Sequence, residues 1–355
     1  MQNLFEKVQQ MGHEQVVFCH DAHSGLNAII AIHNTTLGPA LGGTRVWNYN
    51  SHEDAIVDAL RLSRGMTYKN AISGLNIGGG KAVIIADPKM KSEELWRRYG
   101  RFVNSLNGKY ITAEDVNTNT ADMEFVSLET KFVTGVPEYA GGSGDPSPFT
   151  AQGVFMGMKA SAKKAYGSDS LVGKKVLVQG AGHVGQYLIG HLVAEGAKVM
   201  VSDIDEAKLK AAVAKYPGIE VVDNASIFDL AMDIYAPCAL GATLNDDSIA
   251  KLKCAIVAGA ANNQLADENV HGPMLVQKGI VYGPDFLINA GGVINVAAEL
   301  DGYNLGKVNS AVERIYNRTL DIYALSEKEN THPQAAAMIM AQKRIDDMAA
   351  MKSRM

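Results

Sequence analysis

The chain has 355 residues, 47% hydrophobic and 20% charged, with a formal net charge of -5. At roughly 150 residues per domain that length implies two domains, and the balance is that of an ordinary globular chain rather than a disordered one. The acidic charge argues against nucleic acid as partner, and no apolar run reaches the roughly 18–20 residues that span a bilayer. The opening MQNLFEKVQQMGHEQ has no apolar stretch and no cleavage pattern, so no signal peptide and a cytoplasmic location are expected. Cys19, Cys238 and Cys254 are too few for a disulfide framework and are read as small buried hydrophobes. Cys19-His20-Asp21 with His23 has no second pair at metal-ligand spacing. It is read as a strand entering a polar turn before Gly25, and no metal is expected.

In chain order, Gln15–Cys19, Asn27–His33 and Gly43–Trp47 read as strands. Ser51 can cap a helix with Asp54 in the reciprocal position, and Ile56, Ala59, Leu60 and Ser63 give that helix one apolar or small face. Lys81–Ile85 reads as a buried strand, Leu95, Tyr99, Phe102 and Leu106 follow helical spacing, and Tyr110–Glu114 is a further strand. Tyr139–Pro148, YAGGSGDPSP, has the glycines and prolines of a linker or hinge. Helical pattern runs from Thr150 to about Tyr166. After Lys174, strands and helices alternate to about Gly302 through KVMVSD, DIYAPCA, CAIVAGA and GIVYGPDFLINAGG. That order implies an α/β fold with a mostly parallel, doubly wound sheet in the second domain. The segment 333–355 reads as a final helix. The division expected is a first, substrate-binding and oligomerisation domain over 1–140, joined by 333–355, and a dinucleotide domain over 148–332.

The strand ending at Gln179 runs directly into Gly180-Ala181-Gly182-His183-Val184-Gly185-Gln186. This is GxGxxG between a strand and a helix. Gly180 allows the tight turn, Gly182 lets backbone approach a pyrophosphate, and Gly185 lets helix and strand pack closely. The free N–H groups of the helix start would hold the phosphates. His183 is read as a residue of the first helical turn, not as a catalyst. The next strand ends at Asp203, 18 residues past Gly185. A carboxylate there suits a ribose 2′-hydroxyl and repels a 2′-phosphate, so NAD is expected rather than NADP.

The first domain holds Lys69, just after a helix, and Lys81, which follows Gly78-Gly79-Gly80. A solvated lysine needs no such run; it marks close backbone passage or an unusual turn. Glu114 and Asp115 end a strand, where α/β proteins place active sites. Two lysines and a carboxylate facing a nicotinamide would suit an amino or keto acid. One lysine would hold the α-carboxylate; the other, its pKa lowered by burial and by its cationic neighbour, would act on water. A nucleotide-binding sensor without turnover would explain the glycine loop and Asp203 but would leave Lys69, Lys81 and Asp115 without a role.

Those residues, with TAEDVNT, SGDPSP, CALGA, AGAANNQL and NAGGVINV, resemble the amino-acid dehydrogenases of the glutamate/leucine/phenylalanine/valine family. The resemblance covers nearly the whole chain and is closest to the leucine branch. It implies NAD-dependent, reversible oxidative deamination of branched-chain L-amino acids to 2-oxo acids and ammonia. By that resemblance Lys69 anchors the substrate carboxylate, Lys81 activates water and Asp115 shuttles protons to the nitrogen. Gly42 and Gly43 border the substrate by their backbone, and Asn263 helps hold it. Met66, Leu41, Ala113, Val293 and Val296 line the side-chain pocket, and Asn262 and Thr150 lie near the nicotinamide. The resemblance also implies a homo-oligomer, an octamer in the leucine branch. Asn117 and Asn119 depart from the family pattern, which leads one to expect a glycine and a threonine there; this puts the geometry of that loop in doubt.

Overall fold

A computed structural model describes residues 4–353. The chain folds as two compact units. One comprises the chain up to Pro146 with Asn295–Asn304 and the segment from Ala341 on; the other comprises Ser147–Ile294 and Leu305–Met340.

The first unit contains α1 (Leu4–Met11), β1 (Gln15–Asp21), β2 (Leu26–Asn34), β3 (Ala40–Trp47) and α2 (His52–Ile72). There follow β4 (Gly78–Ile85), α3 (Glu93–Ser105), β5 (Tyr110–Glu114) and α4 (Thr120–Ser127). The sheet order is β1-β2-β4-β3-β5, with β3 parallel to β4 and β5, and β2 antiparallel to β1 and β4. Successive strand residues point to opposite faces. Ile29, Ala31 and Val83 therefore pack on Ala55, Ala59 and Leu60 of α2, while Ile30, Ile32, Ala82 and Ile84 pack with Trp96 and Tyr99 of α3 and Met123 and Val126 of α4. Each completed strand–helix layer removes an apolar face from water, which is the main stabilising term.

Two boundaries differ from expectation. The α2 helix starts where Ser51 caps it, accepting from the Asp54 amide at 3.1 Å, but it runs on to Ile72. Lys69 thus lies inside its last turn, not after it. The helix ends at Ser73, which returns its hydroxyl to the Lys69 carbonyl at 2.6 Å, and Gly74 then takes φ +76°. The three glycines before Lys81 are strand residues, not a turn. A Cβ on Gly79 would stand 2.1 Å from the Thr67 amide nitrogen, so only glycine lets α2 lie so close to β4.

The second unit contains α5 (Ser147–Tyr166), β6 (Lys175–Gln179), α6 (His183–Glu195), β7 (Lys198–Ser202), α7 (Glu206–Lys215) and β8 (Glu220–Val221). It continues through β9 (Ile234–Pro237), α8 (Asp246–Lys251), β10 (Ile256–Val257), α9 (Glu268–Gln277), β11 (Val281–Tyr282), α10 (Asp285–Ile288) and the start of α11 (Gly291–Ala297). α12 (Leu305–Lys328) and the first part of α13 (Pro333–Lys352) complete it. The strands lie in the order β11-β10-β9-β6-β7-β8, all parallel. This is the doubly wound nucleotide-binding order, with its switch point between β6 and β9. CAIVAGA yields only the two-residue β10, and NAGGVINV enters α11 rather than extending a strand. The alternation expected up to Gly302 says nothing of α12. Its buried Val308, Val312, Ile315, Thr319 and Ile322 recur at helical spacing, so the signal was present.

Segments distant in sequence return to tie the first unit. Glu299 accepts from the amides of Gly135 and Ser143 at 3.0 and 2.8 Å, which pins the segment read as a linker. Arg344 of α13 donates to the Ala71 and Leu75 carbonyls at 3.1 and 2.7 Å, closing the C-terminal end of α2 with a cation. Among the described residues no helix is long and apolar enough to cross a membrane.

Candidate active site

In the first unit the β3 register aligns Gly43 with Ala113 and Leu41 with Gly79 and Ile111. Strand alternation then puts Leu41, Gly43 and Arg45 of β3, Gly79, Lys81 and Val83 of β4, and Ala113 of β5 on the α2 face. Asp115 follows β5 directly, and its amide donates to the Thr118 hydroxyl at 2.7 Å. Lys81 is 4% exposed, and its Nζ stands 2.9 Å from Asp115 Oδ1. Arg45 Nε donates to Asp115 Oδ2 at 3.0 Å, and Arg45 Nη1 to Asp58 Oδ2 at 3.0 Å. Asp58 also accepts from the Tyr49 hydroxyl at 2.7 Å and from Arg61 at 3.2 Å. Charges therefore alternate along a chain from the buried Lys81 through half-buried Asp115, Arg45 and Asp58 to the exposed Arg61.

That order sets the protonation states. Burial pushes the Lys81 ammonium below its ordinary value; Asp115 pulls it back up and Arg45 pushes it down again. Burial opposes the Asp115 charge, but Lys81 and Arg45 outweigh it and hold the carboxyl down at about 2. Glu114, on the opposite strand face, is raised to about 7 by burial and by Asp145, Asp115 and Asp122. A lysine eased toward neutrality beside a firmly ionised carboxylate is a candidate general base with a fixed counter-charge at hand.

The remaining first-unit candidates take these places. A Cβ on Gly42 would meet the Gly80 carbonyl at 1.7 Å, and the Gly42 carbonyl itself accepts from Tyr110 at 2.6 Å. Asp58 and Lys69 stand eleven residues apart, close to one row along α2, and Asp58 shows that the row faces Arg45; Met66 stands three residues before Lys69, on the adjoining row. Ala113 is buried and Met66 half-buried. Val296 lies in α11, its Cγ1 3.9 Å from a Cβ built on Gly135. Asn117 takes φ +60° and donates to the Val46 carbonyl at 3.0 Å. Asn119 caps α4 in a reciprocal box with Asp122. Both departures are thus accommodated. Asparagine tolerates the left-handed conformation a glycine would supply, and it caps a helix as well as threonine does. Arg45, Asp58 and Tyr49 formed no part of the sequence expectation. The signal available for Arg45 was its place two residues after Gly43, on the same strand face.

In the second unit Gly180 takes φ +109° at the end of β6, and Gly185 packs so that a Cβ would meet the Gly180 carbonyl at 2.0 Å. Gly182 caps α6 with no side-chain acceptor for the first-turn amides of His183 and Val184, while the Gln186 amide donates to the Gly182 carbonyl at 2.9 Å. A Cβ there meets nothing within 4 Å, so the helix start faces open space. Uncapped donors behind an open glycine fit a pyrophosphate. Asp203 Oδ2 accepts from the Ala181 amide at 2.7 Å, so the expected ribose-binding carboxylate also braces the loop. Across the switch point the Cys238 amide donates to the Gln179 carbonyl at 2.7 Å. The loop after β9 packs on the Asn262–Asn263 turn, where Ala242 N donates to the Asn263 carbonyl at 2.7 Å and Asn263 takes φ +52°. Asn289 donates to Asn262 Oδ1 at 2.7 Å. Thr150 stands in the first turn of α5, its amide 3.0 Å from a Cβ built on Gly291, and Val293 follows in α11.

Two family models match the chain. Residues 13–132 match the Glu/Leu/Phe/Val dehydrogenase dimerisation domain, and 141–354 match the Glutamate/Leucine/Phenylalanine/Valine dehydrogenase domain. The leucine dehydrogenase of Thermoactinomyces intermedius is 54% identical over 99% of this chain and 95% of its own. The valine dehydrogenase of Streptomyces virginiae is 49% identical over 95% of each. The crystal structure of L-tryptophan dehydrogenase from Nostoc punctiforme superposes with a TM-score of 0.84 at 47% identity, covering 98% of this chain and 100% of that one. With both halves matched in order, the chain belongs to the glutamate/leucine/phenylalanine/valine dehydrogenase family of pyridine-nucleotide-dependent amino-acid dehydrogenases.

Proposed function

We propose that this chain catalyses the NAD-dependent, reversible oxidative deamination of L-leucine and other branched-chain L-amino acids to 2-oxo acids and ammonia. The observation that carries the reaction is the buried Lys81–Asp115 pair, 2.9 Å apart, on a sheet face that also bears Gly43 and Ala113. Lys69 holds the α-carboxylate as a point charge, the Gly42–Gly43 backbone borders the substrate, and Asn263 helps orient it. Bound NAD supplies the hydride acceptor, held by Gly180–Gln186 with Thr150 and Asn262 toward the nicotinamide. Loss of hydride from Cα leaves a cationic iminium. Neutral Lys81 takes a proton as water adds to that carbon. Asp115 then relays the carbinolamine hydroxyl proton to the nitrogen, so that the C–N bond breaks, the C=O bond forms and ammonia leaves, while Lys81 keeps the proton taken from water. Burial eases Lys81 toward its neutral form, which supports the base, and Lys81 and Arg45 keep Asp115 ionised, so that it holds a proton only in passing.

Asp203 supports NAD over NADP, since a second negative charge at the ribose would meet its carboxylate. The leucine assignment rests on the 54% identical leucine dehydrogenase and on the apolar candidates Leu41, Met66, Ala113, Val293 and Val296. A carboxylate side chain among them would lose water without gaining a partner, which excludes glutamate. A second reading, an aromatic substrate, is favoured by the tryptophan dehydrogenase at 49% identity over 99% of this chain. The Ala113 methyl, absent from a glycine, weighs against it. We infer a cytoplasmic homo-oligomer, an octamer by resemblance to the leucine branch.

A panel of leucine, isoleucine, valine, phenylalanine, tryptophan and glutamate with NAD and NADP tests the reading. One methylene of fit is worth only about 1–3 kcal/mol, so the three branched substrates should all turn over. They should lead the aromatics, with NAD preferred and glutamate inactive. A kcat/KM for tryptophan or phenylalanine equal to that for leucine refutes the pocket, and no turnover of any amino acid refutes the reaction.

A further inference from the structure

We propose that Arg45 is a positioning residue that keeps Asp115 ionised and aimed while Lys81 gives up and regains its proton. The inference rests on the proposed reaction, because it assigns Lys81 a changing charge.

In the resting pair each Asp115 oxygen has its own cation: Oδ1 faces Lys81 at 2.9 Å and Oδ2 faces Arg45 at 3.0 Å. When Lys81 is neutral, a carboxylate paired with it alone would be left buried without a counter-charge and would take a proton itself. A lysine in place of Arg45 would supply only a point charge, whereas a guanidinium has a fixed planar geometry and keeps its charge at any working pH. Its planar fork is also held from the far side. Nη1 is fixed to Asp58, which Tyr49 and Arg61 in turn hold at 2.7 and 3.2 Å. The fork thus offers Nε to Asp115 in one orientation.

The same placement sets the sign of the effect on Lys81. The charged and titratable groups on the elements around it include Asp115 after β5, Arg45 on β3, Asp58, Arg61 and Lys69 on α2, His33 on β2 two residues past Ala31, the register partner of Lys81, Tyr49 after β3 and Glu114 on the far face of β5. Removing the Arg45 cation makes Lys81 harder to deprotonate. Removing the Asp58 anion makes it easier. The two changes must therefore move the acid limb of kcat/KM in opposite directions.

The test is the pH profile of leucine oxidation by the full-length parent and by Arg45→Met, Arg45→Lys and Asp58→Asn, each checked for a parental thermal transition and NADH binding. Arg45→Met should raise the limb by about one pH unit, within the usual range for loss of one neighbouring charge. Asp58→Asn should lower it, and Arg45→Lys should leave it near the parent's with reduced kcat. Profiles that overlay the parent's after scaling by a constant factor overturn the proposal, since a merely structural role lowers turnover equally at every pH. If Arg45→Met does not fold, the downward shift in Asp58→Asn and the kcat loss in Arg45→Lys decide. A second readout needs no turnover: acetylation of Lys81 by acetic anhydride, followed by peptide mass spectrometry across pH. An unchanged half-reaction pH in the Arg45 and Asp58 variants overturns the role of Arg45 even if the parent has no dehydrogenase activity, an outcome that would by itself overturn only the proposed reaction.

Discussion

Asn117 sits one residue past the Asp115-Val116 step and takes a backbone conformation, φ +60°, that a β-carbon resists. Its amide reaches the Val46 carbonyl at 3.0 Å and ties the acid's loop to the end of β3. Asn117→Gly should therefore be mild, trading a hydrogen bond for an easier backbone. Asn117→Ala loses the bond and keeps the strain, and should cost about 1–2 kcal/mol more. Thermal denaturation of the two variants checks the order; an alanine variant as stable as the glycine variant contradicts it. Asp203 serves two purposes at once, a charge toward the ribose and an acceptor for the Ala181 amide at 2.7 Å. Asp203→Asn retains the acceptor and removes the charge, whereas Asp203→Ala removes both. The ratio of kcat/KM for NADP to that for NAD should rise in both, with activity better preserved in the asparagine variant. A parent that uses the two cofactors equally removes the basis for this argument. At this scale Lys81 and Asp115 were legible because a glycine run and two strand-end acids are unusual. Arg45 was not, because an arginine on a strand is ordinary and its partners Asp58 and Asp115 lie 13 and 70 residues away.

Elements were legible wherever local preference and final packing agree. Tyr110–Glu114 and the α2 start at Ser51 are such cases. They failed where packing overrode preference. Glycines disfavour strands, so β4 was read from Lys81, yet close packing draws Gly78–Gly80 into it, Gly78 against the Asn34 carbonyl, Gly79 against Thr67 and Gly80 against the Tyr110 ring. The docking of α2 has a pH signature. His13 Nε2 lies 2.8 Å from Ser63 Oγ and His33 Nδ1 2.8 Å from Thr67 Oγ1, beneath the helix that carries Met66 and Lys69. Burial holds both imidazoles down at about 4. The unfolded chain takes up these protons near pH 6.5 but the folded chain only near 4. Their contribution is therefore undiminished above about pH 6.5, and stability falls as pH drops from there toward 4. Glu114, raised to about 7, acts in the opposite sense over part of that range, so the comparison must be with a variant. His33→Gln should flatten the fall in Tm between neutral pH and pH 5. An equal fall in parent and variant contradicts the account.

At the scale of the whole chain, each half announced itself separately: GxGxxG before a helix with an acid at the next strand end, and two lysines with strand-end acids. What no local pattern could show is that Asn295–Asn304 and the residues from Ala341 on belong to the first unit. Glu299 and Arg344 make those returns through single hydrogen-bonded side chains, not through periodic patterns. The central claim is that Lys81 is the base of an amino-acid dehydrogenase. The most direct measurement is turnover of L-leucine with NAD by Lys81→Ala, alongside NADH binding by the same variant. General base catalysis contributes about 10²–10⁴-fold, so turnover should fall by at least two orders of magnitude with NADH affinity unchanged. Turnover within about threefold of the parent, far short of that range, would contradict the account.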